Sequence, residues 1–114
     1  MKVTIYHNPR WGKSRDSVRI LEENNVEFTT VEYLKTPTSR DDIINILDML
    51  KIPVIELIRK TEKEYSENNI SSIDSDEQLI DMIIKFPKLM QRPIIIAGKK
   101  AVIGRPPEKI LDIL

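Results

Sequence analysis

Three arginines, Arg59, Arg92 and Arg105, together with the stretch HNPRWGKSR at residues 7–15, carry the side chains best suited to chemistry in this chain. A guanidinium binds a tetrahedral oxyanion through paired, in-plane N–H donors, a geometry that a lysine ammonium does not offer. The stretch 7–15 directly follows the apolar run Val3-Thr4-Ile5-Tyr6, so it reads as a strand emptying into a loop that opens a helix. At such a junction the free backbone N–H groups and the positive end of the helix dipole add a further attraction for anions. His7 serves there as a general base or a charge that tunes a neighbour, or else as a loop histidine bonded to a backbone carbonyl. Ser14 acts as a nucleophile only with a base beside it; as a hydroxyl at a helix start it reads first as the N-cap. Trp11, the only tryptophan, stands in the middle of the stretch and lines a pocket, meets a partner, or lies exposed in the loop.

The same stretch excludes two common chemistries. Gly12-Lys13-Ser14 matches the end of a phosphate-binding P-loop, but the glycine required five positions earlier is His7. Cysteine is absent, so the chain by itself supplies no disulfide, no thiolate metal ligand and no thiol catalysis. With a single histidine, a zinc site would need several carboxylates, and none has the spacing. Lys+Arg and Asp+Glu both number 18, giving a net charge of zero, which argues against a nucleic-acid binder driven by phosphate neutralisation. No apolar run approaches the roughly 18 residues of a membrane span, and the N-terminus has no signal-peptide core. A cytosolic protein without membrane partners is expected.

The elements that must position these groups are legible from periodicity. At 114 residues, 40% hydrophobic and 32% charged, the chain suits one domain with one core. Residues 2–6 and 27–33 read as strands, separated by a helix that starts near Ser14 and ends at Asn24-Asn25; a strand, helix and strand make a right-handed βαβ unit with parallel strands. Ser39 with Asp42, and Ser75 with Gln78, form capping-box starts for helices ending near Lys51 and Phe86. Pro53 opens a short turn that delivers Arg59-Lys60, and residues 61–75 are polar and weakly periodic. Residues 92–97 and 101–104 form a hairpin around Gly98-Lys99-Lys100, followed by a final helix from Arg105-Pro106-Pro107-Glu108 that turns Ile110, Leu111 and Leu114 inward. The fold class is therefore α/β and thioredoxin-like: a four-stranded mixed sheet, with a helical insertion at about 39–87 between its two halves.

Several of these segments together resemble the ArsC family of glutaredoxin-dependent arsenate reductases. They are His7-Asn8-Pro9, Gly12-Lys13-Ser14-Arg15, Tyr33-Leu34 with Pro37-Thr38-Ser39-Arg40, Leu57-Ile58-Arg59-Lys60, Asp76-Glu77-Gln78-Leu79-Ile80, Arg92-Pro93-Ile94 and Arg105-Pro106-Pro107-Glu108. The similarity runs in order through nearly the whole chain. It implies one thioredoxin-like domain over residues 1–114, a cis peptide at Pro93, and Arg59, Arg92 and Arg105 as the oxyanion-binding arginines. It implies no bound cofactor, with glutathione and glutaredoxin as reductants, and a His7 that favours the thiolate of a neighbouring nucleophile. That nucleophile would be a cysteine at the position of Trp11, which this chain lacks. Indole has no useful nucleophilicity, so the expectation is a reductase-inactive homologue that binds arsenate, phosphate or sulfate near Gly12 and Ser14. Two alternatives stand beside it. One is an adaptor like the related Spx regulators, in which Trp11 contacts a protein such as RNA polymerase. The other is an active reductase whose cysteine codon was altered by one base.

Overall fold

A computed structural model describes residues 3–35 and 38–114. The chain divides into two compact units, one made from Met1–Thr36 with Arg92–Leu114 and the other from Pro37–Gln91. The first contains the sheet. Strands β1 (Val3–Tyr6), β2 (Phe28–Val31), β3 (Ile94–Ala97) and β4 (Lys100–Ile103) lie in the order β2-β1-β3-β4. β1 pairs parallel with β2 and antiparallel with β3, and β3 pairs antiparallel with β4. Helix α1 (Gly12–Glu23) makes the β1–β2 crossover. This is the mixed, thioredoxin-like sheet expected from the sequence, and it places the C-terminal ends of β1 and β2 beside the N-terminal end of β3.

The sequence pattern explains the sheet's interior. β1 and β3 are its two central strands, and Val3, Ile5, Ile95 and Ala97 are buried on one face together with Leu21 of α1 and Ile110. β3 reads Ile-Ile-Ile-Ala because both faces of this central strand are largely covered, Ile96 alone being partly exposed, so alternation is lost. β2 is an edge strand, and its Thr29 and Thr30 are exposed. Ala97 pairs with Lys100, so the hairpin loop has two residues, and Gly98 at φ 63° occupies the first of them, where the primed turns that suit a twisted hairpin require a positive φ.

Several boundaries and one helix type differ from the sequence reading. Among them, β4 spans Lys100–Ile103 rather than 101–104, so Lys100 belongs to the strand and not to the turn. α1 begins at Gly12 rather than near Ser14, with Trp11 as N-cap. β2 ends at Val31, because the Lys35 amide donates to the Glu32 carbonyl at 2.9 Å and turns the chain there. β3 begins at Ile94, after the Arg92-Pro93 junction. The last segment, Pro107–Asp112, is a 3₁₀ helix. Three residues per turn align Pro107, Ile110 and Ile113 on one face, so Ile110 is buried while Leu111 and Leu114 remain 51% and 40% exposed instead of facing inward. The peptides preceding Pro93 and Pro106 are both cis.

The second unit holds α2 (Arg40–Leu50), α3 (Lys63–Glu67) and α4 (Asp76–Lys85), joined by short 3₁₀ turns. Both capping serines act as expected: Ser39 Oγ accepts from the Asp42 amide at 3.1 Å, and Ser75 Oγ from the Gln78 amide at 3.4 Å. The polar stretch after Thr61 forms α3 and one 3₁₀ turn, with Ile70 buried. Of the loop expected at Thr36-Pro37-Thr38, the first two residues lie outside the described ones, as does Lys2 of the first strand. Among the described residues no helix is long and apolar enough to cross a membrane.

Candidate functional site

The loop between β1 and α1 is organised by a residue that sequence reasoning passed over. Asn8 is buried, and three of its groups are engaged. Its Oδ1 accepts from the Arg10 amide at 3.1 Å, its carbonyl from the Trp11 amide at 3.0 Å, and its own amide donates to Ser14 Oγ at 3.4 Å. An asparagine side chain that bonds two residues ahead produces a tight turn, and this one delivers Trp11 to the N-cap of α1. Ser14, buried inside the first helical turn, therefore serves the loop amide and is not the N-cap. Upstream, the His7 amide donates to the Val31 carbonyl at 2.9 Å, extending the β1–β2 ladder into the loop.

Trp11 is an unusual N-cap. An indole offers a donor and no acceptor, and no side chain caps the first turn. The amides of Gly12, Lys13 and Ser14 have no acceptor within the helix by its geometry, and no acidic residue occupies that turn. The helix start thus presents uncapped N–H groups beneath the positive end of the dipole. Gly12 is not needed sterically: a Cβ there would meet only the tip of the Arg15 side chain, at 3.8 Å.

Arg92 lies against the indole. Its Cζ is 3.2 Å from the centroid of the Trp11 ring, and the residue is 2% exposed while Trp11 is 39% exposed. Stacking covers the face of the guanidinium, whereas an oxyanion is bound through the N–H groups on its edge. The stack uses the face of Arg92, and the indole excludes water from one side of the charge.

Arg105 is placed by the hairpin. Ile94 pairs with Ile103, and the ladder is continued by the Gly104 amide donating to the Pro93 carbonyl at 2.9 Å. Arg92 and Arg105 therefore leave the same end of the β3–β4 pair. Tyr6 pairs with Ile94, so the His7–Trp11 loop leaves β1 at that end too. Arg105 is exposed, and its guanidinium has no partner among the described residues. Gly104 makes the close approach possible: a Cβ there would stand 2.9 Å from Ser17 Oγ and 3.0 Å from side-chain atoms of both Ile95 and Pro93. The sequence reading named Gly12 and missed Gly104, although Gly104 sits directly before Arg105 and directly after a strand, where a glycine signals close backbone approach.

Arg59 belongs to the other unit. Its amide donates to the Leu89 carbonyl, and its Nε lies 3.4 Å from Glu62 Oε1 in a largely buried ion pair.

His7 is half-buried, and among the described residues its Nδ1 is buried without a hydrogen-bond partner. The imidazole is therefore neither linked to Ser14 through that nitrogen nor bonded by it to a backbone carbonyl. Burial pushes its pKa below the usual imidazole value, and the Glu32 carboxylate opposes that shift in part. The ring is neutral at pH 7. Because the unfolded chain takes up the proton first as pH falls, His7 contributes stability above the ordinary imidazole pKa that is lost as the pH drops from there toward the lower folded value. His7→Gln is expected to flatten that part of the stability-versus-pH curve from urea unfolding, with little change at pH 8; an unaltered acid limb would assign it to other groups.

The chain as a whole has relatives among known proteins. The profile of the ArsC family matches residues 6–113. The chain belongs to the ArsC family. Within it, the chain is 46% identical to the uncharacterized protein YfgD of Escherichia coli K12, over 99% of this chain and 97% of that one. It is 37% identical to an arsenate reductase of Escherichia coli, over 98% of this chain and 80% of the relative. Among solved structures, the arsenate reductase from Vibrio cholerae superposes with a TM-score of 0.96 at 36% identity, covering 100% of this chain and 98% of that one. This ArsC-family chain thus shares the arsenate reductase architecture while containing no cysteine.

Proposed function

We propose that this ArsC-family protein binds a tetrahedral oxyanion, with arsenate, phosphate and sulfate as candidates, and does not reduce it by thiol chemistry. The observation that carries this reading is the Trp11 indole stacked on the buried Arg92 at the start of α1. By resemblance that position is the nucleophile's, and an indole there leaves an anion with a guanidinium edge and uncapped helix amides but no reactive sulfur. Arg105, at the same end of the hairpin and exposed, supplies a second cation. Glutathione and glutaredoxin, the reductants implied by the family, would find no thiol in this chain on which to act. A cytosolic setting, expected from the sequence, accords with this reading.

Trp11 provides its own probe, since no other tryptophan competes with it. Titration with arsenate, phosphate and sulfate at low ionic strength, where screening is weak, is expected to change Trp11 emission saturably. Arg92→Ala should weaken the response at least about tenfold, the scale of a lost charge-assisted hydrogen bond. Arg105→Ala should weaken it less, because that guanidinium is solvated. Arg59→Ala in the same titration tests the role that the resemblance assigns to Arg59. A flat response, matched by silence in calorimetry, would overturn anion binding. The half-exposed indole would then lead to the adaptor reading, since exposed tryptophans commonly anchor protein partners.

A further inference from the structure

The same loop also lines a concavity. It has a volume of about 280 Å³ and opens between the His7–Arg10 segment and the turn after β2. The C-terminal ends of adjacent parallel strands are where open α/β sheets place ligands. Here the two walls differ in charge. The first carries Arg10, exposed and without a side-chain partner among the described residues. The second carries Glu32, half-buried, whose carboxylate lies 3.4 Å from the Lys35 ammonium. That ion pair is solvent-exposed and weakly held, so Glu32 can exchange a lysine ammonium for another ammonium at little cost. Pro9 and Leu34 are the apolar part of the lining, and Leu34 is 40% exposed.

We propose that this cleft binds a free aliphatic α-amino acid, with its carboxylate on Arg10, its ammonium on Glu32 and its side chain against Leu34 and Pro9. A ligand with both charges is preferred to a plain anion because the lining supplies a guanidinium from Arg10 and a carboxylate from Glu32. An anion alone would use Arg10 and leave the Glu32–Lys35 pair unchanged, gaining nothing from the carboxylate. The size also suits a small ligand, since drug-sized molecules fill roughly 300–1,000 Å³. The walls are preorganised: the bonds of Asn8 fix one, and the Lys35 amide to the Glu32 carbonyl fixes the other. The site uses neither Arg92 nor Arg105, so it stands or falls independently of the oxyanion reading.

Amide NMR of the full chain titrated with L-leucine tests this directly. The expected result is a saturable shift of the His7, Asn8, Arg10 and Glu32–Lys35 amides, with a dissociation constant on the order of 1 mM or tighter. Isocaproate, which lacks the ammonium, and isoamylamine, which lacks the carboxylate, should each bind at least about tenfold more weakly. Arg10→Ala and Glu32→Gln should each weaken leucine by a similar factor while leaving the Trp11 response to phosphate intact. Isocaproate binding as tightly as leucine would reduce the cleft to a simple anion site and overturn the proposal. So would the absence of a saturable shift, or shifts unaffected by both variants.

Discussion

Trp11→Cys is expected to give the chain one titratable thiol and, with glutathione and glutaredoxin, arsenate-dependent oxidation of glutathione, where the parent protein shows none. The start of α1 supplies the physical reason. A cysteine at this N-cap would place its sulfur beside uncapped amides, at the positive end of the helix dipole and next to an Arg92 guanidinium no longer covered by indole. Such surroundings lower a thiol pKa from about 8.5 to between about 3.5 and 7.5. A fall of even one unit raises the thiolate population at pH 7 by nearly tenfold. The thiolate would displace hydroxide from arsenate, and glutathione thiols would then supply the two electrons that release arsenite. Loss of the indole removes a stack worth about 0.5–2 kcal/mol, which the fold should tolerate because Trp11 is partly exposed. Trp11→Ser, similar in size to cysteine but unable to form a thiolate, should stay inactive. Arsenite production by Trp11→Cys would establish that only the sulfur is missing. A folded Trp11→Cys protein with a fast-reacting thiol and no arsenite would mean that the arginines do not present arsenate to it.

Gly104→Ala is expected to destabilise the protein by about 1–3 kcal/mol, the range for forcing extra volume into a packed interior. The added methyl would lie 2.9 Å from Ser17 Oγ and 3.0 Å from atoms of Ile95 and Pro93, and two of these three neighbours belong to the strap that carries Arg92 into β3. Ser17 is fully buried in α1 and Ile95 is core, so neither retreats freely. Relief would come from moving the 103–106 segment away from Pro93, which stretches the Gly104–Pro93 hydrogen bond and separates Arg105 from Arg92. A midpoint lower by several degrees in thermal unfolding, together with weaker anion binding, is the expected pair of results. Gly12→Ala, with only a flexible side-chain tip within reach, should change stability by no more than about 0.5 kcal/mol. Equal stability of the two variants would show that the hairpin end is loosely packed.

Particular residues show how far the sequence can be read. The parallel pair, the hairpin and both serine caps follow from local rules: β-branched runs, a tight turn at Gly98, and Ser-x-x-acceptor spacing at two helix starts. Boundaries failed where a nonlocal bond intervened. Ser14 looked like an N-cap because its type suits one, but its hydroxyl is taken by Asn8, which lies six residues earlier in the loop. Leu111 and Leu114 looked like core because an α-helical period was assumed, whereas the segment from Pro107 turns with a 3₁₀ period and buries Pro107 and Ile110.

The sequence by itself determined the inventory of the site: arginines that can bind an anion, a helix start to assist them, and no thiol anywhere. Composition and local spacing carry that information, because a missing thiolate is missing in every conformation. The tertiary structure alone decided what the indole does. Whether Trp11 fills a pocket, faces solvent or meets a cation depends on where β3 brings Arg92, a residue 81 positions away in sequence. Parallel and antiparallel pairing around β1 puts the two side chains at one end of the sheet, and the ring then lies on the guanidinium because its negative face attracts the charge and its breadth shields it from water.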